Sequence, residues 1–168
     1  MPVTYFPIAT TTLSGADVSS YTFTNIPSTY TDLVLVASTF GETNVSFIEL
    51  IQFNSDTGNN YSNTFMGGYV TGGGSNKNSN VPYIFIGHLS GWFTTDVPMT
   101  AIAHIQNYSN TTTYKTVISR GGSPATNSSP IVGLWSNTSA INSIKISLQS
   151  GTALKSGSTF TLYGIKAA

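Results

Sequence analysis

Short runs of β-favouring residues recur along this chain, and clusters of turn residues separate them. This spacing is typical of a β-sandwich or barrel, whereas no segment holds apolar residues at a sustained helical spacing. In the clearest run, Ile144, Ile146 and Leu148 alternate with Lys145 and Ser147. Such alternation predicts one buried face and one solvated face. The chain is therefore expected to be all-β, with minimal helix.

About ten or eleven strands are predicted in all. They cover residues 3–9, 21–26, 31–40, 45–53, 61–69, 81–89, 97–107, 113–119, 131–135, 141–149 and 159–166. This number is too large for one flat sheet, so two stacked antiparallel sheets in a jelly-roll-like sandwich are expected. Residues 71–80 and 121–130, which are rich in Gly, Ser and Asn, are interpreted as exposed loops. One domain over residues 1–168 is the simplest organisation for this length.

Charged residues are scarce in the chain. Six Lys plus Arg and six Asp plus Glu make up 7% of it, against about 25% in an ordinary domain. More than a third of the residues are Ser, Thr or Asn, so hydroxyl and amide groups must solvate the surface. Such a surface has no long-range field to capture nucleic acid or an anionic membrane, and its near-zero net charge permits self-association. We therefore expect neither nucleic acid nor a membrane as a partner.

The sequence gives no indication of secretion or of insertion into a membrane. No positively charged segment followed by a long apolar stretch opens the chain, so no signal peptide is predicted. No apolar run approaches the roughly 18 to 20 residues that span a bilayer. Cysteine is absent, which excludes disulfides and thiolate metal sites. A cytoplasmic origin followed by assembly is expected, rather than Sec-type secretion.

Residue types that catalyse reactions are few. The bases available to a serine hydrolase are His88 and His104, and the segment around His88 lacks the Gly-x-Ser-x-Gly elbow. His104 is interpreted as a hydrogen-bonded histidine of a sheet. Among the carboxylates, Glu49 alone lies mid-strand, and a salt-bridged or rim glutamate is favoured over half of a glycosidase pair. We therefore predict no enzyme, no catalytic residues and no cofactor.

Asn54, Asp56 and Asn60 crowd around Gly58 between two predicted strands. Asx side chains that bond nearby backbone amides, with Gly58 at a positive φ, make a structural turn. The same side-chain oxygens are also a candidate Ca²⁺ site. Because only one of the residues is a carboxylate, weak affinity is expected, and the structural turn is favoured over a metal site.

Three stretches have a distinctive sequence, namely FNSDTGNNYS at 53–62, IQNYSNTTTYKTVISRGG at 105–122 and GLWSNTSAINSIKISLQSGTALKSGSTFTLYGIK at 133–166. Together they resemble a pattern that recurs in proteins of tailed-bacteriophage virions. The resemblance implies a sandwich-fold structural protein of the virion, either a head decoration (cement) protein or part of the tail or its fibres. Because no triple-helical shaft or collagen-like stem is visible, capsid decoration is favoured.

The resemblance also implies partners within the particle. These are the major capsid protein and other virion proteins, and a homotrimer is expected because decoration proteins and fibres are commonly trimeric. Candidate interface anchors are aromatic side chains near strand ends or turns, namely Tyr5, Phe6, Trp92, Phe93 and Trp135. The alternative is that these rings fill the core.

A rival class is a module that binds a host surface glycan through aromatic platforms and amide or hydroxyl groups. Aromatic rings in a shallow groove beside Asn side chains would favour this rival. An enzyme, in contrast, requires His88 or Glu49 beside a second titratable group in a pocket.

Overall fold

A computed structural model describes residues 4–42, 47–69, 72–88, 97–124 and 126–166. Within these ranges the chain forms twelve strands and a 3-10 turn at Gln149–Gly151. The strands are β1 Tyr5–Thr12, β2 Ser20–Phe23, β3 Asp32–Thr39, β4 Ile48–Phe53, β5 Tyr61–Tyr69, β6 Gly72–Val81, β7 Ile84–His88, β8 Met99–Gln106, β9 Lys115–Ser123, β10 Asn127–Trp135, β11 Ile144–Leu148 and β12 Thr159–Ile165. All the strand pairs are antiparallel. The predicted all-β sandwich is confirmed.

The strands are divided unequally between two sheets. The larger sheet has eight strands in the order β1-β12-β3-β8-β9-β10-β5-β6, and the smaller has four in the order β2-β11-β4-β7. Three neighbouring strands of the larger sheet are each followed or preceded in the chain by one of three neighbouring strands of the smaller sheet. The pairs are β1 with β2, β12 with β11 and β3 with β4. The chain therefore crosses from one sheet to the other at three adjacent positions, as it does in a jelly-roll-like sandwich.

Alternation along the strands determines which face meets the core. In β11, Ile144 and Ile146 are completely buried while Lys145 is half-buried, so the predicted two-faced strand is confirmed. In β3, Leu33 and Leu35 are completely buried and the outward-facing Val36 is exposed. The larger sheet thus has an apolar inner face and a separate outer face.

Glycines let the smaller sheet approach the larger one closely at β7. A Cβ on Gly121 of β9 would lie 2.9 Å from the Cα of Gly87 in β7, which is closer than real side chains come. On β10, a Cβ on Gly133 would collide with the side chain of Ile84. Gly121 is needed because the backbones of the two sheets nearly touch there, and Gly133 because the Ile84 side chain fills the space that a Cβ would take.

The outer edge of β7 is closed by a side chain from the larger sheet. Asn63 of β5 donates a 3.0 Å hydrogen bond from Nδ2 to the carbonyl of Tyr83, and its Oδ1 accepts a 2.8 Å bond from the backbone N–H of Phe85. One amide thus makes, at the start of β7, the two bonds that a neighbouring strand would make. Asn63 therefore ties the start of this edge to the larger sheet.

The prediction that residues 71–80 and 121–130 form loops is wrong. Gly72–Val81 is β6, which pairs with β5 in register from Gly72 opposite Tyr69 to Ser79 opposite Ser62. Residues 121–130 belong largely to the β9–β10 hairpin, which stays paired as far as Ser123 and Asn127. Backbone pairing with a neighbouring strand overrides the low β-propensity of Gly, Ser and Asn. The other predicted segments overlap the remaining eleven strands, with ends that differ by a few residues.

Candidate interaction surface

Tyr5 is the predicted anchor that the described chain leaves most accessible. It is 53% exposed on the edge strand β1. Phe6 is only partly exposed because its ring packs against Tyr30, with the ring centroids 5.9 Å apart. Trp92 and Phe93 lie outside the described residues, so their role stays a prediction. Tyr5 therefore remains available for contact with a partner.

Trp135, in contrast, belongs to the core. It is 1% exposed, and its ring packs against Phe53 and Tyr61 at centroid distances of 5.5 and 6.1 Å. Its Nε1 donates a 2.8 Å hydrogen bond to Oδ2 of Asp56, which satisfies the polar end of the ring. A ring enclosed in this way cannot reach a partner. The prediction that Trp135 is a surface anchor is therefore wrong, and the alternative that it fills the core holds.

The Asp56 carboxylate is used within its own turn. Its Oδ1 accepts a 2.9 Å hydrogen bond from the backbone N–H of Gly58, and Nδ2 of Asn60 donates to both oxygens at 3.2 and 3.0 Å. Burial alone raises the pKa of Asp56, but the hydrogen bonds from Trp135, Asn60 and Gly58 outweigh it and hold the pKa below its ordinary value. The charge is thus stabilised by N–H donors.

Asn54 ties the same turn to the connection between β10 and β11. Its Oδ1 accepts a 2.9 Å bond from the backbone N–H of Asn142, and its Nδ2 donates to the carbonyl of Ala140 at 2.7 Å. Positive φ values occur at Asn54 and Ser55, not at Gly58, which corrects that prediction. N–H donors occupy the Asn54 and Asp56 oxygens proposed for Ca²⁺, so the geometry favours a structural turn. The described chain places no group of three or more His, Cys, Asp or Glu side chains to hold a metal ion.

His104 forms a pair with Asp32 on the outer face of the larger sheet. Its Nε2 lies 3.1 Å from Oδ2 of Asp32, whose Oδ1 accepts a 2.8 Å bond from the backbone N–H of Asn107. No hydroxyl of the described residues bonds to His104, so no nucleophile completes a triad with this pair. The pair is the hydrogen-bonded sheet histidine that the sequence predicts. The side chain of His88 lies outside the described part of the structure.

Glu49 is completely buried, so the prediction of a salt-bridged or rim glutamate is wrong. Its Oε1 accepts a 2.6 Å hydrogen bond from Oγ1 of Thr39, and its Oε2 has no hydrogen-bond partner among the described residues. Burial raises the pKa of Glu49 to about 7, and the bond from Thr39 opposes only part of that effect. A lone enclosed carboxyl group does not have the geometry of a glycosidase pair.

Lys115 is a second buried ionisable residue, and sequence reasoning missed it. It is completely buried in β9, and its Nζ donates hydrogen bonds to the carbonyls of Thr113 and Thr138 at 2.7 and 3.0 Å. Burial lowers its pKa. The available signal was its alternation with Val117, which faces inward from the same strand. The two carbonyls give Lys115 a structural role, since they join it to the loops on either side.

The outer face of the larger sheet carries exposed apolar side chains on five adjacent strands. On β3 and β8, Val36 and Ile102 stand opposite each other, as do Ile118 and Val132 on β9 and β10. Met66 of β5 follows at the far end, and the exposed fractions rise from 36% at Val36 to 62% at Met66. We call Val36, Met66, Ile102, Ile118 and Val132 the apolar band. Single exposed apolar residues are ordinary, but a contiguous group indicates an interaction surface.

Arg120 projects from the middle of the apolar band. On β9 it stands opposite Ile102 of β8 and Pro130 of β10. Arg120 is exposed, and no carboxylate of the described chain lies within ion-pair distance of it. A groove of about 770 Å³ lies beside it, and the groove is lined mainly by aliphatic and small residues, among them Val36, Val97, Pro98, Ile102, Gly122 and Pro124. No aromatic ring is found in the described lining, whereas the glycan-binding rival requires one.

Sequence comparisons assign no function to the chain. No known family model matches it, and no match is found among curated proteins. In the described ranges, no helix has the length and apolar character needed to cross a membrane. A functional proposal therefore depends on surface chemistry and on the resemblance of the three sequence stretches to virion proteins.

Proposed function

We propose that this protein is a structural component of a tailed-bacteriophage virion, and that it attaches to the assembled shell as a capsid decoration protein. The observation that carries the proposal is the apolar band, which lies exposed across five adjacent strands of the larger sheet. Covering such side chains stabilises a complex by about 25 cal/mol per Å² of apolar surface removed from water. The surface is therefore suited to adhesion.

The size of the outer face fits one specific protein contact. Eight strands spaced about 4.8 Å apart make it about 34 Å wide, and strands of eight residues make it about 26 Å long. The product is about 900 Å², close to the roughly 800 Å² that each partner contributes to a standard interface. The face can therefore hold one partner protein.

The low charge supports attachment after assembly. A surface with few charges has little electrostatic attraction for partners at a distance, so affinity must come from close fit to a preformed surface. A protein that binds the assembled lattice and not its separate subunits stabilises the lattice by mass action. Attachment to the finished shell would therefore make the particle harder to dissociate.

Cryo-electron microscopy of purified particles from the source of this sequence tests the proposal. The expected result is density for this sandwich on the outside of the shell, together with the chain in the particle's protein content by mass spectrometry. Density at the tail or in a fibre would instead support the alternative that the protein belongs to the tail apparatus. Absence of the chain from the particles would refute both.

Binding assays with substituted proteins test whether the apolar band is the adhesive surface. Val132→Asp places a charge in the band, and we expect it to weaken binding to particles that lack the protein by at least about tenfold, since burying an unpaired charge is costly. The matched control is Val18→Asp, because Val18 is 38% exposed and lies outside the band. Equal binding of both variants would contradict the assignment.

A further inference from the structure

The side chains around Arg120 indicate which chemical group a partner of the apolar band must present. Its guanidinium group has apolar neighbours, since Ile102 and Pro130 stand opposite it and Ile118 precedes it on the same face of β9. An arginine covered by an apolar partner surface loses its water, and the lost hydration must be replaced by hydrogen-bond acceptors on the partner. A carboxylate is the best match because it can accept two parallel hydrogen bonds from the guanidinium fork.

A second copy of this chain is poorly equipped to supply that carboxylate. Glu49 is buried, and Asp56 is held by Trp135 and its own turn. Asp32 is paired with His104, and Asp17 with Lys155. Among the described carboxylates this leaves Glu42, which is exposed but already lies near enough to Lys155 for its charge to help raise the pKa of that lysine. The charges of the chain therefore favour a different protein as the source.

We propose that the outer face of the larger sheet docks on a different protein, whose apolar surface presents an Asp or Glu carboxylate into the groove beside Arg120. The inference rests on the proposed function and names the contact through which it operates. The groove of about 770 Å³ gives the acidic side chain and its apolar neighbours room to enter. Arg120 would then supply specificity at the centre of the interface, and the apolar band would exclude water around it.

The test compares particle binding of the wild-type protein with that of Arg120→Gln and Arg120→Lys. Removing one partner of a desolvated, hydrogen-bonded charge pair costs about 2 kcal/mol or more, so Arg120→Gln is expected to bind about 30-fold more weakly or worse. Arg120→Lys keeps the charge and should lose less. The control is Lys145→Gln, which removes a positive charge from β11 in the smaller sheet and should bind like the wild type. Because Arg120 is exposed, all variants should melt at the same temperature.

A cross-linking measurement identifies the acid directly. A carbodiimide joins a carboxylate to an amine as an amide, so Arg120→Lys should become linked through residue 120 to an Asp or Glu of a particle protein. The wild-type protein, which has a guanidinium there, should give no cross-link at that residue.

The outcomes separate the inference from the proposed function. If the wild-type protein does not bind particles, both are overturned. If it binds and Arg120→Gln binds equally well, or if Lys145→Gln loses as much affinity, the inference alone is overturned. Cross-linking of residue 120 to Glu42 of a second copy would also overturn it, because the face would then be a self-association surface.

Discussion

Glu49→Gln should remove much of the dependence of the protein's stability on pH. Glu49 lies in β4 between Gly87 of β7 and Leu148 of β11, and within the described part of the chain its side chain accepts a single hydrogen bond, from Thr39 of β3. None of these neighbours carries a charge. The folded protein is therefore more stable when the Glu49 carboxyl group is neutral. Glutamine has the same size and no charge, and it keeps an oxygen that can accept the hydrogen bond from Thr39.

The direction and the size of this pH dependence follow from the pKa values of Glu49 in the folded and unfolded protein. Its pKa rises from an ordinary 4.5 to about 7 in the folded protein, so the folded state binds the proton more tightly than the unfolded state. The stabilisation is complete below about pH 4.5 and is lost as the pH rises through 7. The difference between the two pKa values of Glu49 corresponds to about 3 kcal/mol of unfolding free energy. Above pH 8, Glu49→Gln should therefore be more stable than the wild type by up to that amount.

Urea unfolding at several pH values between 4.5 and 9 measures the effect. The difference in unfolding free energy between Glu49→Gln and the wild type should grow by about 3 kcal/mol across that range. Glu42→Gln is the matched control, since it makes the same substitution at an exposed carboxylate instead of a buried one. Parallel profiles for Glu49→Gln and the wild type would refute the reasoning.

Three further results are expected. Trp135→Phe should lower the unfolding free energy by about 2 kcal/mol because Asp56 loses a charge-assisted N–H donor; a change below about 0.5 kcal/mol in urea unfolding would argue against it. Asn63→Leu should cost about 1–3 kcal/mol, since the buried N–H of Phe85 loses its acceptor, and hydrogen exchange at Phe85 should accelerate. Addition of millimolar Ca²⁺ should leave the melting temperature unchanged, because N–H donors already occupy the Asp56 carboxylate; a clear rise would show that the turn binds the ion.

The strands that alternate in hydropathy could be predicted because burial leaves a period-two signal in the residues. Ile144, Ile146 and Leu148 carried that signal, and all three are buried. Gly72–Val81 carried none, since β6 is held by backbone pairing with β5 and its side chains are mostly exposed. A strand that makes no contribution to the core cannot be recognised from hydropathy alone.

The interaction surface depends on strand order, which local patterns do not encode. Val36, Ile118 and Met66 are far apart in the chain and become neighbours only because β3, β8, β9, β10 and β5 are adjacent in the sheet. The same reason explains why Trp135 is a core residue and not an anchor: the sequence places it at a strand end, but its partners Phe53 and Tyr61 come from other strands. Contacts between distant segments thus decide both the core and the site.

The most direct test of the account is the orientation of the sandwich on the virus particle, measured by cryo-electron microscopy at side-chain resolution. The outer face of the eight-stranded sheet should lie against a shell protein, with Val36, Ile118 and Val132 covered and a carboxylate of that protein at Arg120. A particle-bound protein that turns this face to solvent would contradict the proposed contact.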